Sequence, residues 1–227
     1  MPAPSLGRRI AIGLCQLFIG VAVILCLSAW SLSYWQGWAF LLTFGVCCAA
    51  MSTYLLYYDP ALLQRRMASG PTSEREPRQK LIQAINGLAF GGLLMLPGLD
   101  HRFGWSHMSS MVVLFGHALI VAGFVGCIFV FRENSFASSI IEVAPNQPVI
   151  ATGLYAWVRH PMYAAAVPML LGIPLALGSY WAVLIMGILV PALIARLLDE
   201  ERFLDVHLPG YLDYRHRVVW RLIPGLW

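Results

Sequence analysis

Long apolar runs separated by short polar stretches dominate the chain. Ile10 to Trp30 and Trp38 to Tyr58 are each long enough to cross a hydrocarbon layer of ~30 Å. Leu81 to Leu99, closed by Pro97-Gly98, is a third such run, and Ser109 to Phe131 is a fourth. From Met162 to Arg196 the chain stays apolar for too long to be one ordinary span. Gly178-Ser179-Tyr180 interrupts it, which predicts a helical hairpin of Met162 to Leu177 and Tyr180 to Leu198. The first arm is short and carries Pro168 and Pro174, so a kinked, tilted or incomplete crossing is expected.

Composition agrees with that pattern. Of 227 residues, 59% are hydrophobic and 11% charged, where soluble domains carry about 25% charged residues. The expected fold is therefore an all-α, multi-span membrane bundle of about six apolar segments, the last two a helical hairpin. It divides into a four-span region, 1–131, and a region 132–227 of loop, hairpin and C-terminal segment. Arg8-Arg9 precede the first run as in a signal peptide, but the run is longer than such a segment and lacks a small-x-small cleavage site. An uncleaved span is expected.

Charge orients the bundle. With six crossings, Arg8, Arg9, Arg65, Arg66, Arg75, Arg78, Lys80, Arg132, Arg159, Arg196, Arg202, Arg215, Arg217 and Arg221 fall on one side, and Arg102 alone on the other. The positive-inside rule makes that side cytoplasmic, with both termini there, as in a multi-pass protein of a bacterial inner membrane. The net charge of +4 is then a topology signal facing anionic lipid headgroups, and gives no case for nucleic acid. Cys15, Cys26, Cys47, Cys48 and Cys127 all lie in predicted spans without metal-ligand spacing, so they read as reduced and apolar, and no metal is expected.

Aromatics and glycines have simple readings. Trp30, Tyr34, Trp35 and Trp38 suit an outer interfacial belt, Tyr54, Tyr57 and Tyr58 an inner one, and Trp220 and Trp227 a tail docked on the membrane surface. Gly87, Gly91 and Gly92, and again Gly116, Gly123 and Gly126, suit close helix packing. His101 and His107 read as interfacial. The stretch Asp59 to Lys80 reads as a polar, headgroup-facing loop with some surface-helix character.

Two polar stretches remain. The connection from Arg132 to Tyr163, about thirty residues, is long enough to suggest function by itself. It holds Asn134, Glu142, Gln147, the Gly153-Leu154-Tyr155 turn and Arg159-His160-Pro161. Pro161 suits the first turn of a helix, which puts His160 at an N-terminus whose free amides favour an anion. On the second stretch, Arg196 and Glu200 are i and i+4 and share a helix face, while Glu201 and Arg202 continue that helix into cytosol. Taken singly, these charges could be boundary markers or surface pairs. The hairpin between them brings its ends together, so His160 should lie near Arg196 and Glu200.

The sequence Gly-Leu-Tyr-Ala-Trp-Val-Arg-His-Pro-Met-Tyr at 153–163, then Arg196 with Glu200-Glu201, then Tyr211-Leu212-Asp213-Tyr214, resembles the isoprenylcysteine carboxyl methyltransferase family. The likeness runs from about Glu142 to the C-terminus, and is shared more loosely with membrane phospholipid N-methyltransferases. It implies a transferase that uses S-adenosyl-L-methionine (SAM) without a Rossmann domain. Gln147, Pro148, Val149, Ile150 and Tyr155 resemble the loop enclosing the adenosine. His160, Pro161, Met162 and Tyr163 resemble the contact with the methionine end. Glu200 resembles the acidic cofactor contact, and Arg196 the arginine that binds an acceptor carboxylate. Arg196, His160 and Glu200 are the catalytic candidates on this resemblance. The sequence departs from the family at Glu142, where glutamine is usual, and lacks the usual histidine near Gln147.

The implied acceptor is lipophilic, nominally the carboxylate of a prenylated cysteine, already deprotonated at neutral pH. A phospholipid amine or a small hydrophobic thiol is the alternative, and then His160 or Glu200 becomes a general-base candidate. A non-enzymatic membrane scaffold is the third reading. The sequence carries no signal for an oligomeric state.

Overall fold

A computed structural model describes residues 5–74 and 76–227. Arg75, counted above among the inner-side charges, lies outside the described residues. Among the described residues every regular element is helical, in the order α1 (Leu6–Ala29), α2 (Trp35–Tyr58), α3 (Pro60–Met67), α4 (Pro77–Phe103), α5 (Ser110–Glu133), a 3₁₀ turn (Gly153–Ala156), α6 (Pro161–Ala176), α7 (Tyr180–Val183), α8 (Met186–His207) and α9 (Tyr211–Arg217). Five helical segments are long and apolar enough to cross a membrane, counting α7 and α8 as one, and α6 is a shorter apolar helix. The multi-span helical bundle read from the hydropathy is thus the architecture observed.

Element boundaries differ from the sequence reading where local chemistry overrides hydropathy. Pro97-Gly98 does not close the third span: α4 runs through both to Phe103. The reason is packing, since a Cβ on Gly98 would lie 2.8 Å from Ser28 Cβ and 2.9 Å from the Ala29 nitrogen. α1 and α4 therefore touch backbone to backbone there. The hairpin turns as expected at Gly178 (φ +76°). Ser179 starts α7 by accepting from the Ala182 amide at 3.1 Å. A break at Leu184-Ile185 then separates α7 from α8. α6 is helical through both prolines for 16 residues, a rise of only ~24 Å at ~1.5 Å per residue.

The short apolar helix α6 is also the most closely held. A Cβ on Gly116 would lie 2.3 Å from the Ala176 nitrogen, one on Gly172 2.6 Å from the Gly116 oxygen, and one on Gly123 2.5 Å from Met169 Cβ. These glycines let α5 and α6 approach at van der Waals contact of their backbones, the usual source of helix affinity in lipid. Gly126 does the same against Ala165, and Gly92 meets Ile185, whereas Gly87 and Gly91 face open space. The core between the helices is built from Leu25, Phe40, Phe44, Leu93, Ile120, Phe124, Ile173 and Leu177.

The two ends of the bundle differ in kind. At the end holding Arg102, Asp100 is 1% exposed and accepts from the Ser106 amide and hydroxyl, each at 2.6 Å, and from the Ser179 hydroxyl. This ties α4, the next connection and the hairpin turn together. Tyr34 is not a belt residue: it is buried, and its hydroxyl donates to the Leu177 carbonyl at 2.5 Å. Trp30, Trp35 and Trp38 are exposed there, as expected of a belt. The opposite end gathers the other described arginines, the long 134–160 connection and the C-terminal tail.

Candidate active site

The cavity forms where α6 begins and α8 leaves the bundle. Its start is set by local chain chemistry: Gly153 takes φ +55°, which opens the 3₁₀ turn. His160 occupies the cap position and Pro161 the first position of α6. The connection from Asn134 folds over this start as a roof. The Asn134 side-chain amide donates to the Tyr155 hydroxyl at 2.9 Å, and its carbonyl oxygen accepts from the Phe136 amide at 2.8 Å. Gln147 closes its own turn by accepting from the Ala144 amide at 3.0 Å. Tyr214 of α9 donates to the Tyr155 carbonyl at 2.8 Å, which fixes the far wall.

Between these walls lies a cavity with about 760 Å³ of empty space, its open mouth included. Gln147, Pro148, Val149, Ile150, Tyr155, His160, Pro161, Met162, Tyr163 and Glu200 all line it. Two sequence stretches separated by the whole hairpin thus meet in one hollow, and His160 and Glu200 share it. Glu142 lines it too, and also borders a second, polar cleft with Glu74, Gln79 and Asp199.

The charged groups are arranged differently from the sequence expectation. Glu201 does not emerge into solvent; it is 3% exposed. Its Oε1 accepts from Arg159 Nε at 2.7 Å and contacts His160 Nε2 at 3.3 Å, while Oε2 accepts from Arg221 Nε at 2.9 Å. That contact needs a proton on His160 Nε2, so Glu201 selects the imidazole's tautomer and orientation. Glu200, one residue earlier, accepts from the Tyr163 hydroxyl at 2.6 Å through Oε2 and faces the cavity. The helix turn therefore splits the acidic pair: one carboxylate is buried in ion pairs, and the other is presented to the cavity.

The C-terminal tail closes the arrangement. The Arg159 and His160 amides, expected to be free for an anion, donate to the carbonyls of Trp220 at 2.9 Å and Arg221 at 3.0 Å. Arg159 Nη1 also donates to the carbonyls of Val218 and Val219. Trp227 packs with Leu222 against Tyr163, Leu193 and Leu197. The tail is a strap across the start of α6.

Arg196 is the sequence-expected residue that does not line the cavity. It is 8% exposed and pairs with Glu74 at 2.8 Å, donates to Gln79 Oε1 at 2.9 Å and to the Ser139 carbonyl at 2.9 Å. Its guanidinium is committed to the α3–α4 connection and the roof. Glu74 and Gln79 were missed in the sequence because they sit in the stretch read as solvated. Both are in fact buried. Their only sequence signal is that Arg196 lacks an i±4 acidic neighbour toward the membrane.

Two tyrosines give the cavity its chemical character. Burial pushes the Tyr155 phenol up to about 12, and burial reinforced by the Glu201 and Glu200 carboxylates pushes that of Tyr211 well up. Both stay protonated donors at neutral pH. The Tyr211 hydroxyl is buried, lines the cavity, and has no hydrogen-bond partner among the described residues. An orphaned donor beside a cavity-facing carboxylate fits a polar ligand with acceptors and a cationic group. SAM has both. No group of histidine, cysteine and acidic side chains that could hold a metal occurs among the described residues.

No curated protein matches the chain. A family comparison does: residues 110–206, from the start of α5 almost to the end of α8, match the isoprenylcysteine carboxyl methyltransferase family. The match contains the α5–α6 contact, the roof, the Arg-His-Pro turn and the acidic pair. Through this segment the chain is similar to the isoprenylcysteine carboxyl methyltransferase (ICMT) family.

Proposed function

We propose that this protein transfers a methyl group from SAM to the carboxylate of a lipophilic, prenylcysteine-like acceptor, giving a methyl ester. The observation that carries the reading is the convergence of ten residues from two distant stretches on one cavity that also holds an unpartnered tyrosine hydroxyl. Bound there, SAM would supply an electrophilic sulfonium methyl, and a carboxylate oxygen would take it with no proton to remove.

The chain's own residues then have positioning tasks. Glu200, held by Tyr163, offers a carboxylate suited to an α-ammonium group. Tyr211 offers a hydroxyl to the nucleoside, and Val149, Ile150, Leu204 and Leu208 an apolar wall. His160, fixed by Glu201, lies at the wall with a set orientation and serves as a positioning rather than a proton-removing group. Arg196 acts through Glu74 and the Ser139 carbonyl, holding the roof down so that water is excluded. The arginine-rich end of the bundle supports a cytosolic mouth with both termini on that side.

The test is a transfer assay with labelled SAM, using the purified protein in detergent and a panel of lipophilic carboxylates, amines and thiols. Labelled methyl ester from the carboxylates alone is expected. Label on amines or thiols alone would replace the acceptor, and no SAM binding at all would overturn the reading.

A further inference from the structure

Around the cavity, most cations have a carboxylate. Arg159, His160 and Arg221 share Glu201, and Arg196 has Glu74. Arg66, from the last turn of α3, is different. Its guanidinium donates from Nη1 to the Ala137 carbonyl at 3.0 Å and lies 3.4 Å from Met162 Sδ, with its Cζ 4.5 Å above the Phe131 ring. Ala137 and Met162 both line the cavity. No carboxylate pairs with Arg66 among the described residues. Burial lowers its pKa, and only the Cys127, Tyr155 and Tyr163 side chains oppose that shift. A carbonyl, a thioether and a ring face leave a partly buried cation without a counter-charge, an arrangement that favours an incoming anion.

Arg159 also lines the cavity, but its guanidinium is spent on Glu201 and on the Val218 and Val219 carbonyls. Glu200 presents one negative charge, so a zwitterionic amino-acid end meets an anion on one side and needs a cation on the other. Arg66 does not itself line the cavity but stands directly behind two residues that do, Ala137 and Met162, and Met162 adjoins Tyr163, to which Glu200 is bonded. We propose that Arg66 is a carboxylate-binding residue of this cavity, reached from α3 across the roof. This rests on the methyltransferase reading. The carboxylate has two sources, the α-carboxylate of SAM or that of the acceptor, and the chemistry asked of the guanidinium is the same.

The experiment compares wild type with Arg66→Gln, Arg66→Lys and Arg65→Gln, all in detergent. Two ligands are titrated: SAM and its decarboxylated analogue, S-adenosyl-3-methylthiopropylamine. KM is measured for a carboxylate acceptor. For the cofactor source, Arg66→Gln weakens SAM tenfold or more, changes the analogue less than twofold, and Arg66→Lys recovers part of the loss. For the acceptor source, SAM affinity holds while acceptor KM rises tenfold or more with kcat little changed. Arg65 also bonds the roof, at the Ser135 carbonyl, so Arg65→Gln reports roof loosening and should affect SAM and analogue equally. The inference is overturned if Arg66→Gln weakens both ligands equally, or moves neither affinity nor KM. Failure of the wild type to bind SAM would instead sink the methyltransferase reading.

Discussion

Neighbouring carboxylates with opposite tasks make the sharpest test. Glu201→Gln removes the negative charge shared by Arg159, His160 and Arg221. Arg159 and Glu201 side chains are 5% and 4% exposed, so breaking that pair falls in the range of about 3–5 kcal/mol for a buried ion pair. Arg221 is 28% exposed, and its share is at most about 1 kcal/mol after solvent screening. A total near 4 kcal/mol is therefore expected. The strap pays out this loss first, because Arg159 also holds the tail carbonyls of Val218 and Val219. Hydrogen exchange reads it directly: the Arg159 and His160 amides, bonded to Trp220 and Arg221, should lose about a thousandfold of protection, at ~1.4 kcal/mol per factor of ten. Glu200→Gln should leave those amides protected and weaken SAM about tenfold. If Glu201→Gln keeps wild-type protection, or Glu200→Gln strips it equally, the division of roles is wrong.

Three further outcomes follow from other contacts. Gly123→Leu should abolish folded protein in detergent chromatography, since its Cβ would lie 2.5 Å from Met169 Cβ, while Gly87→Leu, which faces open space, should elute like wild type. Asp100→Ala strands the Ser106 amide and Ser179 hydroxyl and should cost about 3 kcal/mol. The loss would appear as a lower melting temperature with methyl transfer retained at low temperature, because the cavity is at the other end. For Tyr155, the folded phenol titrates near 12 against 10.0 when unperturbed. Its stabilisation is complete below pH 10 and is lost as pH rises from 10 to 12, so Tyr155→Phe should flatten the stability profile over that window.

How much of this was readable in the sequence depended on distance along the chain. Hydropathy placed the spans because lipid imposes a length and a polarity on every crossing. The cavity residues were legible through a family resemblance concentrated in a short motif and an acidic pair. The failures share one cause. Glu74, Gln79 and Arg66 lie in a stretch whose composition looks solvated, and their partners, Arg196 and the roof, are more than fifty residues away. No local period records such a pairing. Glu201 was misread for the opposite reason: helical spacing suggested an emerging, exposed end, and only the returning tail buries it.

The tail and the α3–α4 segment together give the site its logic. Neither belongs to the matched 110–206 segment, yet each supplies groups that the match leaves incomplete. Arg221 neutralises Glu201 and the carbonyls of Trp220 and Arg221 take the amides at the start of α6. Glu74 and Gln79 occupy Arg196. With those partners in place, the charges of the shared motif are used up in holding the walls. What stays uncommitted on the cavity wall is the face of Glu200 and the Tyr211 hydroxyl, with the Arg66 guanidinium, on the inference above, behind Ala137 and Met162. A site assembled this way tolerates little change in its frame, while its ligand preference can shift through few positions. Divergence among proteins with the same turn and acidic pair should therefore concentrate in the segments flanking the match.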